Sequence, residues 1–286
     1  LRPGSEIMKI DFTKKNGAGN DFVMIDNRSG RLSPSPLSIR ALCDRRRGVG
    51  ADGVILIEAA SGVDFRMRYF NADGGEAEMC GNGARCAARF AASLGMGTDD
   101  AGVVRLSFRS GAGEMGAVVE SGRVAVSMTD ATAFEKEVSV PVANGAEIVH
   151  LINTGVPHAV RLEPDWHGLT GEQVVTRGRR IRLQKKFAPG GVNVNFVGVG
   201  DDGRVKIRTY ERGVEGETLA CGTGSVAAGV VLSHLGLARS PVKVVTHGGD
   251  ELMVTFELTR DGATNVILEG PASINFTGTC NLSEKE

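Results

Sequence analysis

Gly75-Glu76-Ala77-Glu78-Met79-Cys80-Gly81-Asn82-Gly83 and Gly216-Glu217-Thr218-Leu219-Ala220-Cys221-Gly222-Thr223-Gly224 share the pattern Gly-Glu-x-x-x-Cys-Gly-x-Gly at a spacing of 141 residues. Working outward, Tyr69–Gly95 laid over Tyr210–Gly236 gives nine identities in 27 positions. The match adds Tyr69/Tyr210, Ala87/Ala228, Leu94/Leu235 and Gly95/Gly236 to the shared core. A further glycine, Gly50 or Gly191, stands thirty residues before each cysteine. A long repeat of this kind marks a duplicated unit. The chain therefore reads as two similar halves, each carrying one cysteine in the same place.

Each half has a legible local structure. Asp64–Phe70 and Val205–Tyr210 alternate in polarity, the two-residue period of a half-buried strand. A glycine-containing turn follows, then Cys-Gly-x-Gly, then an alanine-rich run closed by Gly95 or Gly236, the usual residue just past a helix end. Both cysteines are thus predicted at a helix N-terminus. Ser225–Leu235 carries no charge on any side and reads as a fully buried helix. Leu37–Asp44 reads as a further helix. Short alternating runs at Val103–Phe108, Gly116–Glu120, Arg123–Met128, Val192–Val199, Val242–Thr246 and Leu252–Leu258 make the rest strand-dominated. The class is α/β with an α+β character, one central helix to each half.

The 286-residue length suits two domains. Lys plus Arg number 33 against 34 Asp plus Glu, so no electrostatic footprint for nucleic acid or an anionic membrane is present. Glycine is abundant at 40 residues, and aromatics are scarce at 5%, which argues for tight turns and against base stacking. Five cysteines do not make a disulfide scaffold in a chain this long and fit a reducing cytoplasm. Leu1–Ile7 lacks the apolar core of a signal peptide and reads as an extension ahead of a first strand beginning at Met8. Thr218–Ala238 is free of Asp, Glu, Lys and Arg for 21 residues. Its Cys221, Thr223, Ser225, Ser233, His234 and glycines favour a buried helix over a membrane span.

A thiol at a helix N-terminus meets a partial positive charge and N–H groups that lack intrahelical partners. Glycines one and three residues on allow a small anion to approach the backbone. Two such sites facing one ligand would suit the transfer of a proton from one face of a carbon to the other. Each thiol then acts as base in one direction and acid in the reverse. Helix-terminal N–H groups aimed at an adjacent carboxylate would stabilise the developing charge. Cys43, Cys86 and Cys280 lack a counterpart in the repeat and read as structural. No zinc-ligand spacing is present, so no metal is expected. Gly222-Thr223-Gly224-Ser225-Val226-Ala227 matches the dinucleotide-binding pattern, but the acidic residue that should end the next strand is missing. A nucleotide-dependent oxidoreductase and a redox-sensing or binding protein stand as the other classes.

The motifs together resemble the diaminopimelate epimerase family. They are Asn16–Phe22, Phe70–Gly74, Met79–Cys86, Gly155–His158, Gly191–Phe196, Tyr210–Gly213 and Glu217–Gly224, in family order from about Met8 to Gly270. The resemblance implies two pseudo-symmetric domains, 8–130 plus 271–286 and 131–270, each a strand-rich, barrel-like sheet around a central helix. It implies interconversion of LL- and meso-2,6-diaminopimelate, for lysine and peptidoglycan synthesis, by a cytoplasmic homodimer without pyridoxal phosphate or another cofactor. Cys80 and Cys221 match the two acid/base cysteines. Gly81, Asn82, Gly222 and Thr223 match the donors to the reacting carboxylate. Asn20, Asn71, Asn193 and Arg212 match substrate-holding residues, Arg212 being suited to the distal carboxylate. Glu211 and His158 match groups that assist and position the chemistry. Read from the residues alone, Asn20 and Asn71 are better explained as turn residues. Val156 stands where the family often has Asn, and Gly53 where many members have Gln. Asn153 is a candidate replacement for the lost donor. A proline racemase-like enzyme of the same fold is the alternative within the family's fold, and its substrate lacks the distal carboxylate.

Overall fold

The structure is a computed structural model that describes residues 7–142, 145–200 and 202–283. Of the extension read at Leu1–Ile7, all but Ile7 lies outside the described residues. Backbone contacts divide the chain into two compact units, Leu1–Val126 with Pro271–Glu286, and Ser127–Gly270.

The first unit runs β1 (Ile7–Gly17), β2 (Asn20–Asp26), α1 (Pro36–Cys43), β3 (Gly53–Glu58), β4 (Phe65–Asn71), β5 (Glu76–Ala77), α2 (Gly81–Ser93), β6 (Thr98–Asp100), β7 (Val103–Ser110), β8 (Gly113–Glu120) and β9 (Arg123–Ser127). The second runs β10 (Thr132–Val142), β11 (Gly145–Asn153), β12 (Pro157–Leu162), α3 (Gly171–Arg182), β13 (Asn193–Val199), β14 (Val205–Glu211), β15 (Gly216–Thr218), α4 (Gly222–His234), β16 (Val242–Val245), β17 (Glu251–Leu258) and β18 (Ala263–Pro271). The last described element is β19 (Ser273–Ser283), which pairs antiparallel with β1.

The pairing pattern repeats. β1 is antiparallel to β2, β2 parallel to β3, β3 antiparallel to β4, β4 parallel to β7 and β7 antiparallel to β8. In the second unit β11, β12, β13, β14, β16 and β17 follow the same succession. Parallel neighbours need a crossover, commonly a helix. α1 and α3 supply it between β2 and β3 and between β12 and β13, while α2 and α4 supply it before β7 and β16.

α2 touches β1, β2, β3, β4, β7 and β8, and α4 touches β11, β12, β13, β14, β16 and β17. One short helix reaches six strands only where the sheet curls around it. The fold is thus α/β, two strand-rich units each wrapped about one helix. Ten of the thirteen residues of α4 are buried, Val226, Val230, Val231 and Leu232 completely. Each such side chain contributes roughly 1.5–3 kcal/mol. No described helix is long and apolar enough to cross a membrane.

The outer helices pack on the other sheet face. Ile39 and Leu42 of α1 join Val23, Val54 and Phe70, and Val174 and Ile181 of α3 join Val194, Phe196 and Tyr210. α3 is absent from the expected elements. Its interior Gly178 and its four arginines and one glutamate around a thin apolar stripe weaken the helical signal. The structure explains the glycine: a Cβ there would lie 2.4 Å from Tyr210 Cβ.

Candidate active site

α2 and α4 start alike. Cys80 (φ −143°, ψ 119°) and Cys221 (φ −122°, ψ 114°) occupy the N-cap in extended conformation, and neither side chain caps its own helix. The first bonds of the helical ladder are Ala84 N–H to Cys80 O at 2.7 Å and Ser225 N–H to Cys221 O at 2.9 Å. The N–H groups of Gly81, Asn82, Gly222 and Thr223 therefore precede the ladder, at the positive end of the helix. Both helices close at a leucine followed by glycine in left-handed conformation, Gly95 at φ 76° and Gly236 at φ 74°.

The glycine three residues after each cysteine has a packing reason. A Cβ on Gly83 would lie 2.9 Å from Ile55 Cδ1, and one on Gly224 would lie 2.5 Å from Asn195 Oδ1. At both positions the missing Cβ makes room for a strand side chain. The shared glutamates also have a structural role. Glu76 takes two contacts from Arg68, at 2.9 and 2.8 Å, and Glu217 takes two from Arg208, at 2.5 and 2.7 Å.

In the first unit the Cys80 thiol donates to Asn20 Oδ1 across 3.6 Å. Asn20 Nδ2 in turn donates to Asp52 Oδ2 at 2.7 Å. Asp52 and Asp21 are tied to Arg45, and Lys14 reaches Asp21 at 2.9 Å. Burial opposes ionisation of Asp21, yet the Arg45 and Lys14 bonds outweigh it and hold the carboxyl well below its ordinary range. Asn71 Oδ1 accepts the Tyr69 hydroxyl at 2.6 Å at the exposed end of β4. Asn82 is buried, and Arg85, itself fully buried, donates to its Oδ1 at 2.9 Å.

In the second unit Cys221 Sγ lies 3.5 Å from the Thr223 hydroxyl, which can donate or accept. Thr154 donates to the Thr223 carbonyl at 3.2 Å. His158 and Asn193 are register partners on β12 and β13. Asn193 Oδ1 accepts the Arg212 backbone N–H at 2.8 Å, and Thr218 donates to Glu211 Oε2 at 2.9 Å. The half-buried Arg212 guanidinium makes no ion pair among the described residues. Burial, reinforced by the Arg212 charge, pushes His158 down to about 3, so it is neutral near pH 7. Asn195, fully buried, stands 2.9 Å from His158 Nδ1 and was not among the expected site residues. Its signal is a polar residue two positions from Asn193, on the same face of an apolar strand.

Cys43 and Cys86 are buried thiols, both pushed up to about 12 by desolvation, and Cys280 is raised for the same reason. No cluster of metal-ligating side chains occurs among the described residues. At Gly53 a Cβ would lie 2.5 Å from Phe70 O and 2.6 Å from Tyr69 Cε2, so this backbone admits only glycine. Asn153 Oδ1 accepts the Gly155 N–H at 3.0 Å, which commits its oxygen to its own turn. A cavity of about 330 Å³ bordered by Trp166, Lys206, Thr246 and His247 lies toward the Val205 end of β14, away from Glu211 and Arg212.

The sequence profile of the diaminopimelate epimerase family matches residues 12–134 and 150–274. The chain belongs to the diaminopimelate epimerase family. The family's enzyme from Hydrogenobaculum sp. (strain Y04AAS1) is 45% identical over 280 residues, covering 93% of this chain and 96% of that protein. The diaminopimelate epimerases of Chlorobaculum tepidum and Archaeoglobus fulgidus are 41% and 39% identical, covering 93% and 97% of this chain and 100% and 98% of their own lengths. Solved structures outside the family share its fold. A hydroxyproline epimerase from Agrobacterium vitis, with bound trans-4-hydroxy-L-proline, superposes with a TM-score of 0.73 at 16% identity, covering 97% of this chain and 93% of that one. A PhzF-family phenazine biosynthesis protein from Bacillus anthracis gives 0.70 at 14% identity, covering 96% and 99%.

Proposed function

We propose that this chain is an isomerase that interconverts LL- and meso-2,6-diaminopimelate by moving one α-proton through two thiols. One observation carries the reading: two helices of matching length and pairing context each begin at a cysteine that leaves its own helix uncapped. One sulfur, as thiolate, takes the proton from the α-carbon. The other, as thiol, gives one to the opposite face. The substrate is inverted, no atom is gained or lost, and the two sulfurs have exchanged protonation states. The reverse reaction starts from that exchanged state, so both groups serve as acid and as base.

The surrounding residues fit these tasks. N–H groups of Gly81 and Asn82 on α2, and of Gly222 and Thr223 on α4, are donors suited to a carboxylate whose charge grows as the proton leaves. Arg212 supplies a guanidinium for the distal carboxylate, with its backbone held by Asn193. Asn20 orients the Cys80 thiol, and Asn71 offers an exposed amide. Neutral His158 and Glu211 position the chemistry in the second unit. In this reading the chemistry needs no pyridoxal phosphate or other cofactor, because the thiols and N–H donors perform both steps. The two units are the duplicated domains, and the enzyme works as a homodimer in the cytoplasm. The dimer and the compartment rest on the family resemblance.

Proton exchange tests the reading. Reduced protein is incubated with LL-diaminopimelate in D2O, in parallel with L-proline, and the α-proton is followed by NMR. Deuterium uptake with meso product, abolished by Cys80→Ser and by Cys221→Ser, is expected. Exchange with proline alone overturns the substrate. Full activity in either serine variant overturns the two-thiol mechanism.

A further inference from the structure

The second unit holds a buried polar chain that ends on His158. Thr209 Oγ1 donates to Asn195 Oδ1 at 2.9 Å, and Asn195 Nδ2 lies 2.9 Å from His158 Nδ1. Thr209, Asn195 and His158 are 3%, 0% and 1% exposed, so these contacts have little competition from water. An amide presents donors on one side and an acceptor on the other, and its orientation decides what the histidine must do.

The first turn of α4 decides that orientation. Asn195 Oδ1 abuts Gly224, the third residue of α4, so closely that a Cβ there would lie 2.5 Å from it. The positive end of a helix favours an oxygen and disfavours an amide N–H at this place. With Oδ1 turned to α4 and Thr209, Nδ2 must donate to His158 Nδ1. The imidazole proton then belongs to Nε2. That atom is buried and has no hydrogen-bond partner among the described residues. A buried N–H without a partner is disfavoured, and a ligand oxygen would satisfy it.

We infer that Asn195 is a positioning residue: held by Thr209 and the first turn of α4, it locks His158 as the neutral Nε2–H tautomer and presents that N–H as a donor to the bound substrate. The consequence for turnover rests on the epimerase reading above, whereas the tautomer does not. The assignment also gives a reason for the glycine at 224. It is the only residue type that lets the amide oxygen approach the helix backbone.

The tautomer is read by long-range 1H–15N correlation on 15N-histidine-labelled resting protein near pH 7, with His158 assigned by loss of its signals in His158→Gln. An unprotonated Nδ1 and a protonated Nε2 are expected. A protonated Nδ1, or an imidazolium, overturns the assignment. In Asn195→Asp the carboxylate can only accept, so the proton should move to Nδ1, and kcat should fall about 100-fold with KM changing much less. A switched tautomer with unchanged kcat overturns the positioning role. Thr209→Val is the second variant should Asn195→Asp not fold. It frees the amide to turn and should give both tautomers, and a retained single Nε2–H form would remove Thr209 from the lock. Failure of the wild type to exchange either amino acid would sink the epimerase reading instead, and the resting spectrum would still decide the tautomer.

Discussion

Arg208 and Glu217 meet in a two-contact ion pair across β14 and β15, each side chain only 11% exposed, and Arg68 with Glu76 repeats it across β4 and β5 at 24% and 44% exposure. The duplicated glutamate thus has one structural role in two different solvent environments. Glu217→Gln leaves a nearly buried guanidinium without its counter-charge. A loss of about 3–5 kcal/mol is expected. Glu76→Gln leaves Arg68 near water and still 3.4 Å from Glu58, and should cost about 0.2–1 kcal/mol. Urea unfolding of the two variants measures the contrast, and equal losses would contradict it.

Two glycines of α4 should respond in opposite ways to alanine. At Gly229 a Cβ meets Phe256, Val242 and Val254 at 3.5–3.6 Å, ordinary contact distances. Gly229→Ala should stabilise by up to about 1 kcal/mol through helix propensity, with kcat unchanged. Gly224→Ala must displace Asn195 and crowds Cys221 Sγ at 3.3 Å. Its kcat should fall about 100-fold. Urea midpoints and α-proton exchange rates, taken together, separate the two outcomes.

Lys15 is fully buried, and its Nζ has no hydrogen-bond partner among the described residues. Burial, with Arg89 adding and Cys86 opposing, lowers it from 10.5 to about 8. Between those values the unfolded chain holds more protons than the folded one, so stability rises with pH across the window and is at its low plateau below it. Lys15→Met removes the cost. It should be more stable than the wild type at pH 7 by up to about 3 kcal/mol, and the difference should close by pH 10.5. Unfolding free energies of both proteins across pH 7 to 10.5 provide the check. A constant difference would mean that Lys15 is not the group responsible.

Asp52 fixes the amide of Asn20, and through it the acceptor for the Cys80 thiol. Asp52→Ala lets that amide rotate, and α-proton exchange should slow by about tenfold to 100-fold. Asp52→Asn keeps an acceptor oxygen and should slow less. Unfolding in urea shows whether a lost Arg45 contact, rather than Asn20, accounts for the change.

The repeat around Cys80 and Cys221 was legible because its markers are local. A helix start, an alanine-containing run and a terminal glycine are written within 16 residues of each cysteine. The expected strands at Val103–Phe108, Val192–Val199 and Leu252–Leu258 lie within or nearly on β7, β13 and β17 for the same reason. α4 begins at Gly222 rather than at Ser225, because the glycines that argue against a helix in isolation are its first turn. α3 was not legible. Its Gly178 is disfavoured in a helix and is accepted only because Tyr210, 32 residues later in the chain, packs against it.

By itself, then, the sequence determined the duplication, the class of the fold, and the placing of one cysteine at each central helix start, since these follow from periodicity and from residues adjacent in the chain. Only the tertiary structure decided which polar groups meet: Asn195 with His158, Asp52 with Asn20, Arg208 with Glu217. Those partners sit on different strands or on separate loops, and strand register, set by burial of one sheet face, brings them within hydrogen-bond distance.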